Sequence, residues 1–172
     1  MKFKKPKFWD YKRPNFLSYL LLPLTLPLII NNFILGFKNK ASHSKIKKIC
    51  IGNIYVGGTG KTPFTKRIAE AIVVAGGRPA IALRGYRATS TGGSDEAREY
   101  HESLPGVPVL VGADRAKSII SALKADSQAF DCVLLDDGFQ HRRLHRDLDI
   151  VLVDSSRSGV FGDLLPNGWL RE

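Results

Sequence analysis

Acidic residues are almost missing from the first 48 positions. Lys and Arg occur there eleven times against one acid, Asp10, whereas residues 49–172 set fifteen basic residues against fifteen acids. The whole formal charge of +10 therefore belongs to an N-terminal arm. The body lacks the basic face that a nucleic-acid-binding body usually carries, so no nucleic-acid partner is expected. Cysteine is scarce as well. Cys50 and Cys132 both lie in apolar, β-like runs, with no spacing for a disulfide framework or a metal, so both are expected as buried thiols of a cytosolic body. Long unbroken apolar runs are absent too. The main run, Phe16–Ile30, is 15 residues and contains Pro23 and Pro27, where a spanning helix wants about 20 apolar residues. No small-residue cleavage site follows it, which speaks against a cleaved signal peptide.

The arm does have cations on both flanks. Lys2, Lys4, Lys5, Lys7, Lys12 and Arg13 precede the apolar run, and Lys38, Lys40 and Lys45 follow it. Flanking lysines do not favour passage of either end across a bilayer. Residues 1–44 are expected to form a helix or helical hairpin lying in the cytoplasmic leaflet. Its lysines would meet anionic headgroups, with Trp9, Tyr11 and Tyr19 near the interface. A buried helix of a soluble core and a single span are the alternatives.

The body is organised around Ile49-Cys-Ile-Gly-Asn-Ile-Tyr-Val-Gly-Gly-Thr-Gly-Lys-Thr-Pro63. A β-branched apolar run ends in glycines and gives way to a helical pattern. Glycines let successive N–H groups turn toward one point, and a helix N-terminus adds its positive end, which together make a phosphate cradle. Tyr55, Val56, Gly57, Gly58, Thr59, Gly60, Lys61 and Thr62 are the candidate nucleotide-binding residues. Lys61 would reach the β- and γ-phosphates of ATP, and the Thr62 hydroxyl would ligate Mg²⁺. The loop is a variant, because Tyr55 stands where the Gly-x₄-Gly-Lys-Thr pattern has its first glycine.

Strands are expected over 45–54, 78–83, 107–111, 130–135 and 148–153, with helices over 62–75, 94–101 and 113–124. Continuous apolar strands alternating with helices predict an α/β fold of P-loop type: a mostly parallel sheet with helices on both faces, occupying residues 45–172 behind the basic, apolar arm. Function in such folds gathers at the carboxyl ends of the strands, where the phosphate loop, Arg84-Gly85-Tyr86, Asp136-Asp137 and Asp154 all fall. Val133-Leu-Leu-Asp-Asp137 offers a buried strand that delivers carboxylates for Mg²⁺. The string Gly138-Phe-Gln-His-Arg-Arg-Leu-His-Arg-Asp147 sets two histidines and three arginines beside that acidic pair, suited to an anionic substrate. His141 and His145 also read as residues making structural hydrogen bonds in a solvated loop. Asp95 and Glu96 read in two ways: as a proton acceptor and metal helper, or as ordinary acids at a helix N-terminus.

These motifs together resemble the lipid A 4′-kinase (tetraacyldisaccharide 4′-kinase) family. The matching residues are Gly52–Pro63, Arg84-Gly-Tyr86, Asp95-Glu96, Val111-Gly112 with Asp114-Arg115, Asp136-Asp-Gly-Phe-Gln-His141, Leu144, Arg146-Asp147, Leu164-Leu-Pro166, Gly168 and Leu170-Arg-Glu172. The chain departs at Leu83, Ala97, Asp163, Asn167 and Trp169, none of them assigned to chemistry. The resemblance implies ATP- and Mg²⁺-dependent phosphorylation of the 4′-hydroxyl of a tetraacylated glucosamine disaccharide 1-phosphate. The place would be the cytoplasmic face of the inner membrane of a Gram-negative bacterium. It makes Asp95 the general base, and Lys61, the other catalytic candidate, is expected to offset charge on the γ-phosphoryl group. Thr62, Asp136, Asp137 and Glu96 become metal candidates, and Arg84, Tyr86, Gln140, His141, Arg171 and Glu172 substrate candidates. Members of that family are longer and carry a second α/β lobe with a histidine that assists the base. The chain is accordingly expected to be a fragment, inactive or nearly so by itself. The alternatives are a P-loop kinase or carboxylase-like ligase acting on a soluble small molecule, and a membrane-recruited ATPase switch.

Overall fold

The structure, a computed structural model, describes residues 16–37, 46–53, 60–85, 95–139 and 144–153. The chain divides into two compact units, one of residues 1–38, 54–59 and 153–172 and the other of 39–53 and 60–152.

In the first unit the arm is helical. Helix α1 (Phe16–Leu21) passes through one 3₁₀ turn (Leu22–Thr25) into α2 (Leu26–Phe37). Pro23 lies in the tight turn and Pro27 in the first turn of α2, where a missing N–H leaves no helical bond unmade. The Thr25 hydroxyl donates to the Leu22 carbonyl at 2.6 Å. Asn31 and Asn32 break the apolar run but not the helix. Phe16, Leu20, Leu24, Ile30 and Phe33 are exposed. Among the described residues no helix is long and apolar enough to cross a membrane. The expected boundary at residue 44 falls outside the described residues.

The second unit is a five-stranded parallel sheet in the order β3-β2-β4-β1-β5. The strands are β1 (Lys47–Asn53), β2 (Pro79–Leu83), β3 (Val109–Val111), β4 (Cys132–Asp136) and β5 (Leu148–Leu152). Helices α3 (Lys61–Val74), α4 (Asp95–Ser103) and α5 (Arg115–Ala125) connect them. The expected α/β fold is thus observed, with most boundaries within two residues. Helix α5 starts later than the sequence pattern suggests because Asp114 is its cap, accepting from the Lys117 N–H at 3.3 Å.

Alternation along the strands divides the core. Cys50, Ala80, Ala82, Val133 and Leu135 face one way, packed with Ile119 of α5 and with Phe130, Phe139 and Leu144. Ile51, Ile81, Leu83 and Leu134 face the other way, packed with Ala69 of α3 and with Ala97, Tyr100 and Leu104 of α4. By the same period of two, Asp136 shares the face of Leu134, toward α3 and α4. Gly52 lets the Phe139 ring lie against β1, since a Cβ there would meet the ring at 2.6 Å.

Leu134 is fully buried at the middle of the central strand. Leu134→Ala is expected to destabilise the protein by about 3 kcal/mol through lost burial and the cavity left behind. Denaturant unfolding checks this as a lower midpoint at unchanged slope.

Candidate functional site

Strands β1 and β4 are adjacent and parallel, with Ile51 opposite Asp136. Their carboxyl ends therefore deliver Asn53 and Asp136 to one edge of the sheet, where the N-terminus of α3 also begins. Gly60, at φ 74°, occupies the position before α3, and its carbonyl accepts from the Phe64 N–H at 3.1 Å. The left-handed backbone suits glycine. No side chain caps this helix start and no acid lies in its own first turn, so the acids near its positive end come from other elements.

Side chains from β1, α3, α4 and the end of β4 meet here. Lys61 Nζ donates to Asn53 Oδ1 at 3.2 Å and stands 3.6 Å from Asp137 Oδ1. The Thr62 hydroxyl donates to Asp136 Oδ2 at 3.3 Å. Tyr100, wholly buried on α4, donates its hydroxyl to the same oxygen at 2.6 Å. The other carboxylate oxygen, Asp136 Oδ1, is buried with no hydrogen-bond partner among the described residues. Burial pushes the Asp136 carboxyl above the usual range, against the opposing pull of the Tyr100 hydrogen bond. Glu96 is likewise raised, first by burial and then by the charges of Asp136 and Asp137, which places it within electrostatic reach of the same edge.

The turn after β4 is held from the other face. Asp137 adopts φ 53°, uncommon for a residue other than glycine. The buried Arg115 guanidinium, at the start of α5, donates to the carbonyls of Asp136 at 2.9 Å and Asp137 at 3.2 Å. Further along, Arg146 pairs with Asp149 at 3.0 Å and lies 5.6 Å from the centre of the Phe139 ring. Cys50 and Cys132 are buried, and burial pushes the Cys50 thiol up to about 12.

Of the residues singled out from sequence, Lys61, Thr62, Asp136 and Asp137 come together, with Glu96 close enough to sense them. Asp95 opens α4 and is exposed, and Arg84 follows β2 and is exposed. Tyr55, Val56, Gly57, Gly58, Thr59, Tyr86, Gln140, His141, Arg171 and Glu172 lie outside the described residues. Sequence reasoning gave no role to Asn53, Tyr100 or Arg115. The available signals were a polar residue closing an apolar strand, an aromatic four places after Glu96, and a cation directly after a cap.

A carboxylate oxygen without a partner among the described residues, beside a threonine hydroxyl, a helix N-terminus and a lysine, could hold a phosphate and its metal. The sequence profile described as Tetraacyldisaccharide-1-P 4′-kinase (LpxK) matches residues 18–172. The chain belongs to this family. It is 39% identical over 172 residues to the tetraacyldisaccharide 4′-kinase of Pelagibacter ubique, covering 100% of this chain and 51% of that one. It is 43% identical over 141 residues to that of Syntrophus aciditrophicus, covering 72% of this chain and 37% of the relative. The crystal structure of LpxK from Aquifex aeolicus in complex with ATP superposes with a TM-score of 0.71 at 34% identity, over 91% of this chain and 54% of that one. The chain spans about half the length of the curated family members it matches.

Proposed function

We propose that the protein acts as an ATP-dependent kinase on the 4′-hydroxyl of a tetraacyldisaccharide 1-phosphate, a late step of lipid A assembly, at the cytoplasmic face of the bacterial inner membrane. The observation that supports this best is the meeting of Lys61, Thr62 and Asp136 at one sheet edge in a chain of this family. Residues 45–172 form the nucleotide-holding lobe and residues 1–44 the membrane-associated arm, whose exposed Phe16, Leu20, Leu24 and Phe33 suit a lipid surface.

The residues fit Mg²⁺. The Thr62 hydroxyl and Asp136 Oδ1, which has no partner among the described residues, are hard oxygen donors at the mouth of a helix N-terminus, with Asp137 and Glu96 as further carboxylates nearby. Among the described residues there is no group of three or more His, Cys, Asp or Glu that could hold a metal. That suits an ion held mainly by one or two side chains, water and phosphate. When bound, Mg²⁺ supplies charge neutralisation on the β- and γ-phosphates. Lys61 exchanges its contacts with Asn53 and Asp137 for the phosphates and offsets charge on the moving phosphoryl group. Tyr55, Val56, Gly57, Gly58, Thr59 and Gly60 bind the phosphates of the nucleotide, as their glycine-rich sequence suggests. Asp95 takes the proton from the 4′-hydroxyl as the hydroxyl oxygen bonds to the γ-phosphorus of ATP and the bond to the β–γ bridging oxygen breaks, releasing ADP. Arg84, Tyr86, Gln140, His141, Arg171 and Glu172 bind and orient the anionic sugar. The acyl chains stay in the leaflet beside the arm, so the sugar is positioned without leaving the membrane.

The test is direct. The full-length protein, ATP and Mg²⁺ are incubated with tetraacyldisaccharide 1-phosphate in mixed micelles, and the lipid is read by mass spectrometry. A gain of one phosphoryl group at the 4′-oxygen is expected. ATP hydrolysis that leaves the lipid unmodified would overturn the reading in favour of an ATPase switch. Undiminished transfer to soluble sugars after deletion of residues 1–44 would overturn it in favour of a soluble-substrate kinase.

A further inference from the structure

Tyr100 lies six positions into the acidic segment that begins at Ser94, and none of the functional roles above uses it. Its side chain is wholly buried, yet its hydroxyl is the closest partner of the Asp136 carboxylate, at 2.6 Å. Thr62 approaches the same oxygen less closely, at 3.3 Å. Both partners thus lie on Oδ2, while Oδ1 has none among the described residues. A carboxylate pivots about its last bond, and a terminal torsion of this kind is broad. A short bond from a buried, immobile phenol removes that freedom and decides which oxygen is left over.

The phenol is itself fixed. Lys66 of α3 lies 5.7 Å from the centre of the Tyr100 ring and pairs with Glu99 at 2.7 Å. Tyr100 packs in the same apolar cluster as Leu134, two residues before Asp136 on its strand. Glu96, one helical turn earlier, lies on the same side of α4 and senses the charge of Asp136. Helix α4 is therefore tied at one point to α3 and at another to the end of β4. It begins at Asp95.

We infer that Tyr100 is a positioning residue: it holds Asp136 Oδ2 so that Oδ1 remains the oxygen offered to the nucleotide-bound metal, and it anchors α4 over the sheet edge where that metal is needed. This rests on the reading of Asp136 as a metal ligand. Groups that orient a ligand typically change metal affinity by about 10- to 100-fold when removed. A phenol that merely fills the core would instead weaken nucleotide binding with and without metal alike.

The experiment compares the dissociation constant of a fluorescent ATP analogue in EDTA with that in Mg²⁺, using the full-length protein. The ratio of the two is the gain due to metal. In Tyr100→Phe the ratio is expected to fall about tenfold, with binding in EDTA unchanged. In Asp136→Asn it is expected to collapse. If Asp136→Asn leaves the ratio intact, the ligand reading itself is wrong. If Asp136→Asn collapses the ratio but Tyr100→Phe matches wild type, or shifts both constants equally, the role of Tyr100 is refuted. Should Tyr100→Phe fail to fold, Lys66→Ala decides. It removes the cation over the ring and the pair to Glu99 without opening the core, and is expected to lower the same ratio by less. An unchanged ratio there overturns the inference.

Discussion

Lys61→Ala in the full-length protein is expected to lower kcat/KM for lipid phosphorylation by about 10³-fold or more. Removing one preorganised donor from a charge-developing site costs a factor of about 10²–10³, and Lys61 adds a full positive charge. The side chain is mostly buried, and Asn53 Oδ1 and Asp137 Oδ1 hold Nζ beside the start of α3. Arriving phosphates therefore meet a cation that is already desolvated and aimed. The alanine variant also leaves Asp137 facing the nucleotide without that counter-charge, so ATP affinity falls along with kcat. Steady-state assays paired with an ATP-binding titration measure both parts. Circular dichroism should show an unchanged fold, because Lys61 lies at the first turn of α3 and outside both core clusters. A loss smaller than tenfold would remove Lys61 from the chemistry.

Asp95→Asn is expected to depress kcat by about 10²–10⁴-fold, the range for losing a general base, while the ATP dissociation constant hardly moves. Asparagine is the informative choice. Acids in the first turn of α4 are favoured by the helix dipole whatever else they do. Asparagine keeps the shape and hydrogen-bonding capacity while losing the basic oxygen. If Asp95 served only the helix, this variant would work nearly as well as wild type. Glu96 is the natural competitor, because burial first and then the charges of Asp136 and Asp137 raise its proton affinity. Single-turnover rates for Asp95→Asn and Glu96→Gln side by side separate them. A collapse confined to Glu96→Gln would transfer the proton-accepting role to that residue.

The sheet was legible because its strands are nearly continuous apolar runs, and a parallel sheet covered on both faces requires them to be. Lys61, Thr62 and Asp136 were legible because a strand, a glycine turn and a helix form a local signal within one stretch of chain. Tyr100 and Arg115 were not. Each acts across a large gap in sequence, Tyr100 on a carboxylate 36 positions later and Arg115 on carbonyls 21 and 22 positions later. A tyrosine in a short acidic helix looks like half of an amphipathic pattern until the fold brings its hydroxyl to the end of β4. Arg115 looks like a solvated first-turn residue until the turn at Asp137 closes beneath it.

The order of the strands also bears on how the molecule is made. Among the described residues strand β1 pairs with β4 and β5 alone, so on the ribosome the segment that leads into the nucleotide turn waits for Asp136 to be synthesised before it gains a neighbour. Until then the apolar Ile49, Cys50 and Ile51 are expected to stay unpaired in the nascent chain, a kind of exposed segment that invites aggregation. Slowing translation between β1 and β4 should lengthen that wait, and with it the exposure to aggregation.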